Sequence, residues 1–338
     1  MEFQLPIRIN TLPKPIRYTE KIVLTGSCFT EHIGNNLRES KFDTLQNPHG
    51  ILFDPASVAS SIVSYIQNRQ FSPDDLVYFN ELWQSWQHHS LFSNMDQASC
   101  LQAINASQSR AHAFLKKAKW LIITLGSSFS YRLSDEVSGD LRQGAAVANA
   151  AVANCHRAPG QYFNKHLMTI EEINTALDNC LFQLFHFNPD IQVIFTVSPV
   201  RHIRDGVVEN NRSKARLLES VHHLVNKFDR IWYFPAYELV IDVLRDYRFY
   251  DIDLVHPNYA ATQYVLEQFT RHFIDEPSRQ IMEEVRKITI ARKHKAFQPN
   301  TQAHQRFLQE HWHKTKDLIG KYPFLDLEEE LAYFSQLQ

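Results

Sequence analysis

The chain has 338 residues, 44% of them hydrophobic, enough for one large α/β domain plus an extension. With 35 basic and 37 acidic side chains, the formal charge of −2 gives no electrostatic case for nucleic acid or an anionic membrane. Met1-Glu2-Phe3-Gln4-Leu5-Pro6 lacks the basic and apolar regions of a signal peptide, and no apolar run reaches the length of a membrane span, so a cytoplasmic protein is expected.

Lys21-Ile22-Val23-Leu24-Thr25 is a short β-branched run that ends at Gly26, and a helical pattern follows over Glu31–Glu39. Further strands are predicted at Thr44–Gln46, Leu121–Leu125, Val193–Val197 and Ile231–Phe234. Helices are predicted at Ser57–Gln67, Gln102–Lys117, Ile170–Phe185 and Ser213–Phe228. This alternation implies a parallel sheet with helices on both faces, and right-handed crossovers then give a flavodoxin-like three-layer α/β/α sandwich. An aromatic-rich stretch with partial period two, about 74–96, reads as an inserted hairpin. Its Trp83, Trp86, His88 and His89 either wall a substrate cleft or cover an edge of the sheet. From Gly139 to Gln161 the chain is rich in alanine and asparagine and long for a connection, which implies either a functional loop or a disordered one.

Ser198-Pro199-Val200-Arg201-His202 continues the fourth strand at the carboxyl edge of the sheet. There Arg201 and His202 either hold an anionic substrate group or shape their own loop. In Asp251-Ile252-Asp253-Leu254-Val255-His256-Pro257-Asn258, Pro257 keeps His256 out of helical geometry and Asn258 caps a helix with Ala261, Val265, Leu266, Phe269 and Phe273 on its apolar face. Beyond Pro277 the pattern changes to amphipathic helices, marked by Ile281, Met282, Val285, Ile288 and Ala291 and later by Phe307, Leu308, His311 and Trp312. The expected organisation is a domain over 1–277 and a helical C-terminal extension over 278–338.

A carboxylate three residues ahead of a histidine can hold one ring nitrogen and fix the tautomer. A small nucleophile on a strand-to-helix turn lies where open α/β sheets bind ligands, and the helix N-terminus favours an anion. Cys28, Ser27, Asp253 and His256 are therefore the candidate catalytic group. The bland alternatives are an aspartate that caps a helix and a cysteine that is merely a small buried hydrophobe. Cys28, Cys100, Cys155 and Cys180 are widely separated and free thiols are expected. Among the 17 histidines, His88-His89 and Cys155-His156 are potential metal ligands, but adjacent residues on a strand point to opposite faces, and neither a metal nor another cofactor is expected.

Gly26-Ser27-Cys28-Phe29-Thr30-Glu31 resembles the motif that names the GSCFA family, with Thr30 in place of the alanine. Similar blocks are Asn47-Pro48-His49-Gly50, Trp86-Gln87-His88-His89, Thr124-Leu125-Gly126-Ser127, Val152-Ala153-Asn154-Cys155-His156 and Val197-Ser198-Pro199-Val200-Arg201-His202. The family resembles a distant branch of the SGNH, or GDSL, hydrolases, and so implies the same sandwich and an acyl ester reaction. Two departures matter. Alignment of Gly26-Ser27-Cys28-Phe29 on Gly-Asp-Ser-Leu sets Cys28 at the nucleophile position, and a cysteine attacks only when its thiolate is stabilised. In Gly126-Ser127-Ser128-Phe129 a serine replaces the oxyanion-binding asparagine, a loss that typically costs about a hundredfold.

The resemblance implies that Cys28 or Ser27 attacks, His256 acts as base and then acid, and Asp253 orients it. Backbone N–H groups near Cys28 and Gly50, with Asn154, are the candidate oxyanion donors, and His156, Arg201, His202, Trp86 and His89 lie around the substrate. The expected function is hydrolysis or transfer of an acyl group from a small-molecule or carbohydrate ester, with no nucleic-acid or membrane partner and an open oligomeric state. The alternatives are a ligand-binding module that has lost catalysis and a thiol redox sensor that uses Cys28 with Cys155.

Overall fold

The computed structural model describes residues 5–134, 137, 152–294 and 297–335. Residues 139–151 of the alanine- and asparagine-rich loop thus lie outside the described residues. β1 (Ile22–Gly26), β2 (Thr44–Gln46), β5 (Trp120–Leu125), β8 (Gln192–Val197) and β9 (Ile231–Tyr233) form one parallel sheet in the order β2-β1-β5-β8-β9. This is the predicted flavodoxin-like sandwich. The register pairs Ile22 with Thr44, Gly26 with Thr124 and Leu125 with Val197.

Alternate residues of these strands enter different cores, as the period of two requires. Ile22, Leu24, Trp120, Ile122 and Ile194 pack with α1 (Phe29–Glu39) and the C-terminal helices. Val23, Leu121, Ile123, Val193 and Phe195 pack on the other face with α2 (Pro55–Gln67), α3 (Gln97–Leu115), α4 (Ile170–Phe187) and α5 (Gly206–Lys227). Several helices begin earlier than their apolar periodicity. Asp54 and Asp96 are N-caps that accept the N–H of Ser57 and Ser99, so α2 starts two residues and α3 five residues before the expected position.

The aromatic insertion is a hairpin, β3 (Val77–Phe79) and β4 (Leu82–Gln84), turned by Asn80 and Glu81 at φ 51° and 63°. A second ribbon was not anticipated from sequence: β6 (Phe129–Leu133) pairs antiparallel with β7 (Phe163–Leu167) across the long loop. After β9 the short helical segments Ala236–Glu238 and Leu239–Leu244 lead to the Asp253 loop and then to α6 (Tyr259–Phe273). The last helices are α7 (Glu276–Lys293), α8 (Gln302–Lys321) and α9 (Glu328–Phe334). Their Ile281, Met282, Val285, Ile288, Leu308, Leu318 and Phe334 share one hydrophobic cluster with α1 and α6. The N-terminal segment straps this junction: the Ile16 N–H donates to Phe273 O, the Asp275 N–H to Ile16 O, and the Tyr18 N–H to Ser278 Oγ. No helix among the described residues is long and apolar enough to cross a membrane.

Candidate active site

The carboxyl edge of the sheet carries the candidate groups. At Gly26, φ is +135° and an added Cβ would stand 2.1 Å from the Thr124 carbonyl oxygen, so only glycine lets β1 lie this close to β5. The chain then turns into α1. The Ser27 N–H donates to Thr124 O at 2.9 Å, and the carbonyls of Ser27 and Cys28 accept the N–H groups of Thr30 and Glu31. Ser27 is buried, and its hydroxyl has no hydrogen-bond partner in the structure. Cys28, the N-cap of α1, is part-exposed. Burial first, and then the Glu31 carboxylate, push its thiol above the ordinary cysteine value, against Lys214 and the N–H groups of Phe29 and Cys28, which favour the thiolate.

The Asp253 loop holds the His256 ring in one orientation. The Nδ1–H of His256 donates to Asp253 Oδ2 at 2.6 Å, while Asp253 Oδ1 accepts the N–H groups of Val255 and His256 at 2.9 and 3.0 Å. These bonds, the imidazole first, hold the Asp253 carboxyl down to about 2. The pair is half-exposed, and Nδ1 on the carboxylate turns the Nε2 lone pair outward. No hydrogen bond joins His256 to Ser27 or Cys28 among the described residues.

Arg201 supports this loop. Its N–H donates to Val255 O, its guanidinium donates to Leu254 O at 3.3 Å, and the cation lies 4.1 Å from the Tyr250 ring centre. These contacts match the loop-shaping alternative for Arg201. His202 lies nearer the Ser27 turn. A Cβ placed on Gly126 would be 3.1 Å from Ser27 Cβ and 3.4 Å from His202 Nε2, so these three meet at the ends of β1, β5 and β8. Burial and the Lys214 charge bring His202 down to about 4, and its Nε2 is buried without a partner.

Other sequence candidates are placed differently. The Gly50 N–H donates to Asn47 O at 2.7 Å, so the expected oxyanion donor is already bonded within its own turn. Gly50 has φ +79° and lies against His89, where an added Cβ would come 2.1 Å from His89 Cβ. His89 is the half-exposed N-cap of the short Ser90–Phe92 turn, its Nδ1 accepting the Leu91 N–H. Asn154 Oδ1 accepts the His156 N–H, and the His156 Nε2–H donates to Ser85 O at 2.8 Å. Trp86 is fully buried and packs with Val77, Val152, His156 and Phe163, filling a small core where an open cleft wall was one expectation. His88 is buried too, stacked on His49 with ring centres 4.1 Å apart. No contact carries Asn154 or His156 to Cys28 among the described residues.

Ser128, which stands in for the missing asparagine, is turned toward α5. Its N–H donates to Ser213 Oγ and its hydroxyl donates to Ser213 O. The next residue, Lys214, is a member of this site that the sequence reading missed. It lies on the buried stripe of α5 with Leu217, Val221 and Leu224, and its Nζ donates to Gly126 O and Ser198 O, each at 2.6 Å. A lysine on the apolar stripe of a helix was the available signal.

A sequence profile described as the GSCFA family matches residues 21–269, and a second, described as GSCFA domain protein, C-terminal domain, matches 285–337. No curated protein matches the chain. Among solved structures, a Clostridium thermocellum family 3 carbohydrate esterase is similar at 9% identity and a TM-score of 0.33, over 78% of this chain and 98% of that one. A likeness at that score bears on neither activity nor substrate. The family profile spans most of the sequence and contains Gly26-Ser27-Cys28-Phe29 and Asp253-His256 alike. This chain therefore belongs to the GSCFA family.

Proposed function

We propose that the protein hydrolyses or transfers the acyl group of a small-molecule or carbohydrate ester through a covalent intermediate on Cys28. The observation that carries this reading is the Asp253–His256 pair, in which one carboxylate accepts both the ring Nδ1–H and the histidine's own N–H. This is the tautomer and orientation that a general base requires. Cys28 is preferred to Ser27 because it is part-exposed, whereas Ser27 is buried.

His256 Nε2 takes the thiol proton, the sulfur attacks the acyl carbon, and a C–S bond forms as the carbonyl π pair moves onto oxygen. When that pair returns, the C–O bond to the alcohol breaks and the imidazolium gives the departing oxygen its proton. Water or a second alcohol, deprotonated by His256, then attacks the thioester, and Cys28 leaves as the thiolate and recovers its proton. The N–H groups at the start of α1 are the candidate oxyanion donors, since those of Gly50 and Ser128 are already bonded.

A ligand-binding module without catalysis is the second reading, favoured by the raised Cys28 thiol and by the commitment of Ser128 to Ser213. A panel of activated aryl and sugar esters separates the two. Turnover that is lost in Cys28→Ala and His256→Ala supports the enzyme; turnover no greater than that of His256→Ala, together with retained ligand binding, supports the module.

A further inference from the structure

Lys214 is almost wholly buried, and its two acceptors, Gly126 O and Ser198 O, are neutral carbonyls at the ends of β5 and β8. An ammonium has three N–H donors, so two carbonyls leave one over. No carboxylate forms an ion pair with it among the described residues, although a buried charge is normally paired. Around the same Gly126, Ser27 Oγ and His202 Nε2 are also buried without partners. This is a cation that lacks an anion, bonded to the glycine against which Ser27, the residue before Cys28, is packed.

We propose that Lys214 is the resident counter-cation of the Cys28 thiolate, held at the ends of β5 and β8 by the carbonyls of Gly126 and Ser198. The proposal rests on Cys28 as the nucleophile and makes Lys214 a positioning residue, acting through the sulfur with no contact to the substrate. The charges around the pair are Glu31 on α1 and, through His202, those of His256, Asp205 and Lys165. Burial brings Lys214 itself down to about 7, so its help is strongest below that pH and fades above it. The amine–thiol and ammonium–thiolate forms hold the same number of protons, and the pair titrates as a unit.

The test is the rate of iodoacetamide alkylation of Cys28 in the full chain against pH, with the site mapped because Cys155 is also part-exposed. Lys214→Met keeps the stem and removes the charge. The expected result is an alkylation rate about 5–10-fold below wild type at pH 6.5, with the two curves converging in the alkaline range. Equal rates at pH 6.5, or a deficit of the same size at every pH as a purely structural role would give, overturn the proposal. If Lys214→Met fails to fold, the profile of His256→Ala decides. It should flatten near pH 7 as Lys214 loses its charge, and an unbroken rise through pH 7 overturns the proposal. Neither readout needs ester turnover, so an inert ester panel with intact pH coupling rejects the enzyme reading alone, and turnover without coupling rejects this one alone.

Discussion

The two edges of the sheet differ in how their polar groups are satisfied. At the amino edge, between α1 and the C-terminal helices, a cavity of about 980 Å³ is lined by Arg38, Lys41, Asp43, Arg292, Lys293 and Glu330 among others. Several of its charges are paired across elements: Arg292 with Glu329 and Glu330, Lys41 with Glu330, Lys293 with Glu39, and Lys21 nearby with Asp43. At the carboxyl edge, Thr25, Ser27, Thr124, Thr196 and His202 carry buried polar atoms without partners, and Lys214 lacks a counter-ion. Unsatisfied buried groups cost stability, and folds retain them chiefly where a ligand or a reaction completes them. The cavity at the amino edge is a place where two parts of the fold are tied together. The carboxyl edge holds the candidate chemistry.

That contrast breaks first at the Asp253–His256 pair. Asp253→Asn should reduce ester turnover by up to about 10⁴-fold with little change in melting temperature, since the amide favours the wrong tautomer while the exposed loop adds little to folding. A parallel loss of activity and of thermal stability would show the pair to be structural. Gly26→Ala should affect folding itself, costing about 3 kcal/mol or more, because the new methyl would meet the Thr124 carbonyl at a φ of +135°; chemical denaturation measures it.

The buried His49–His88 stack predicts acid sensitivity of the hairpin side of the fold. Burial first and then Arg69 bring His49 down to about 3, and His88 is lowered in the same direction, burial again first. The unfolded histidines titrate near 6.5, so between that value and about 3 the unfolded chain binds more protons. Stability contributed by these neutral rings is complete above 6.5 and is lost as pH falls through that window, at up to about 1.4 kcal/mol per pH unit for each histidine. Melting curves at pH 7 and pH 5 should separate, and His49→Gln should narrow the gap. The smallest effect is expected at the other edge, where Lys293→Ala should cost about 1 kcal/mol or less and leave turnover unchanged, as its pair with Glu39 is more than half in solvent. A loss of activity in Lys293→Ala would join the two edges that the contrast separates.

Much of the fold was legible in the sequence. All five parallel strands were found to within about two residues, because runs such as Ile22–Thr25 and Val193–Val197 are buried on both faces and read as continuous apolar stretches. The β6–β7 ribbon was not: Phe129–Leu133 is short and half-buried, and its partner Phe163–Leu167 lies across a long loop. Helix starts at Asp54 and Asp96 were late by sequence because a capping side chain lies outside the apolar period.

For the candidate site, the sequence by itself determined the local pieces. Asp253 and His256 are three residues apart, and a bond between them needs only the turn that Leu254 at φ 59° and Pro257 allow. Gly26 before Ser27-Cys28 likewise fixes the strand-to-helix turn. Tertiary structure decided what depends on other elements: that the Gly50 N–H is occupied, that Trp86 and His88 are core, that Arg201 braces the Asp253 loop, and that Lys214 comes from α5 to lie under Gly126. Propensity and spacing act within a few residues, whereas the burial of a charge and the choice of its partner are set by which chain segments the sheet brings side by side.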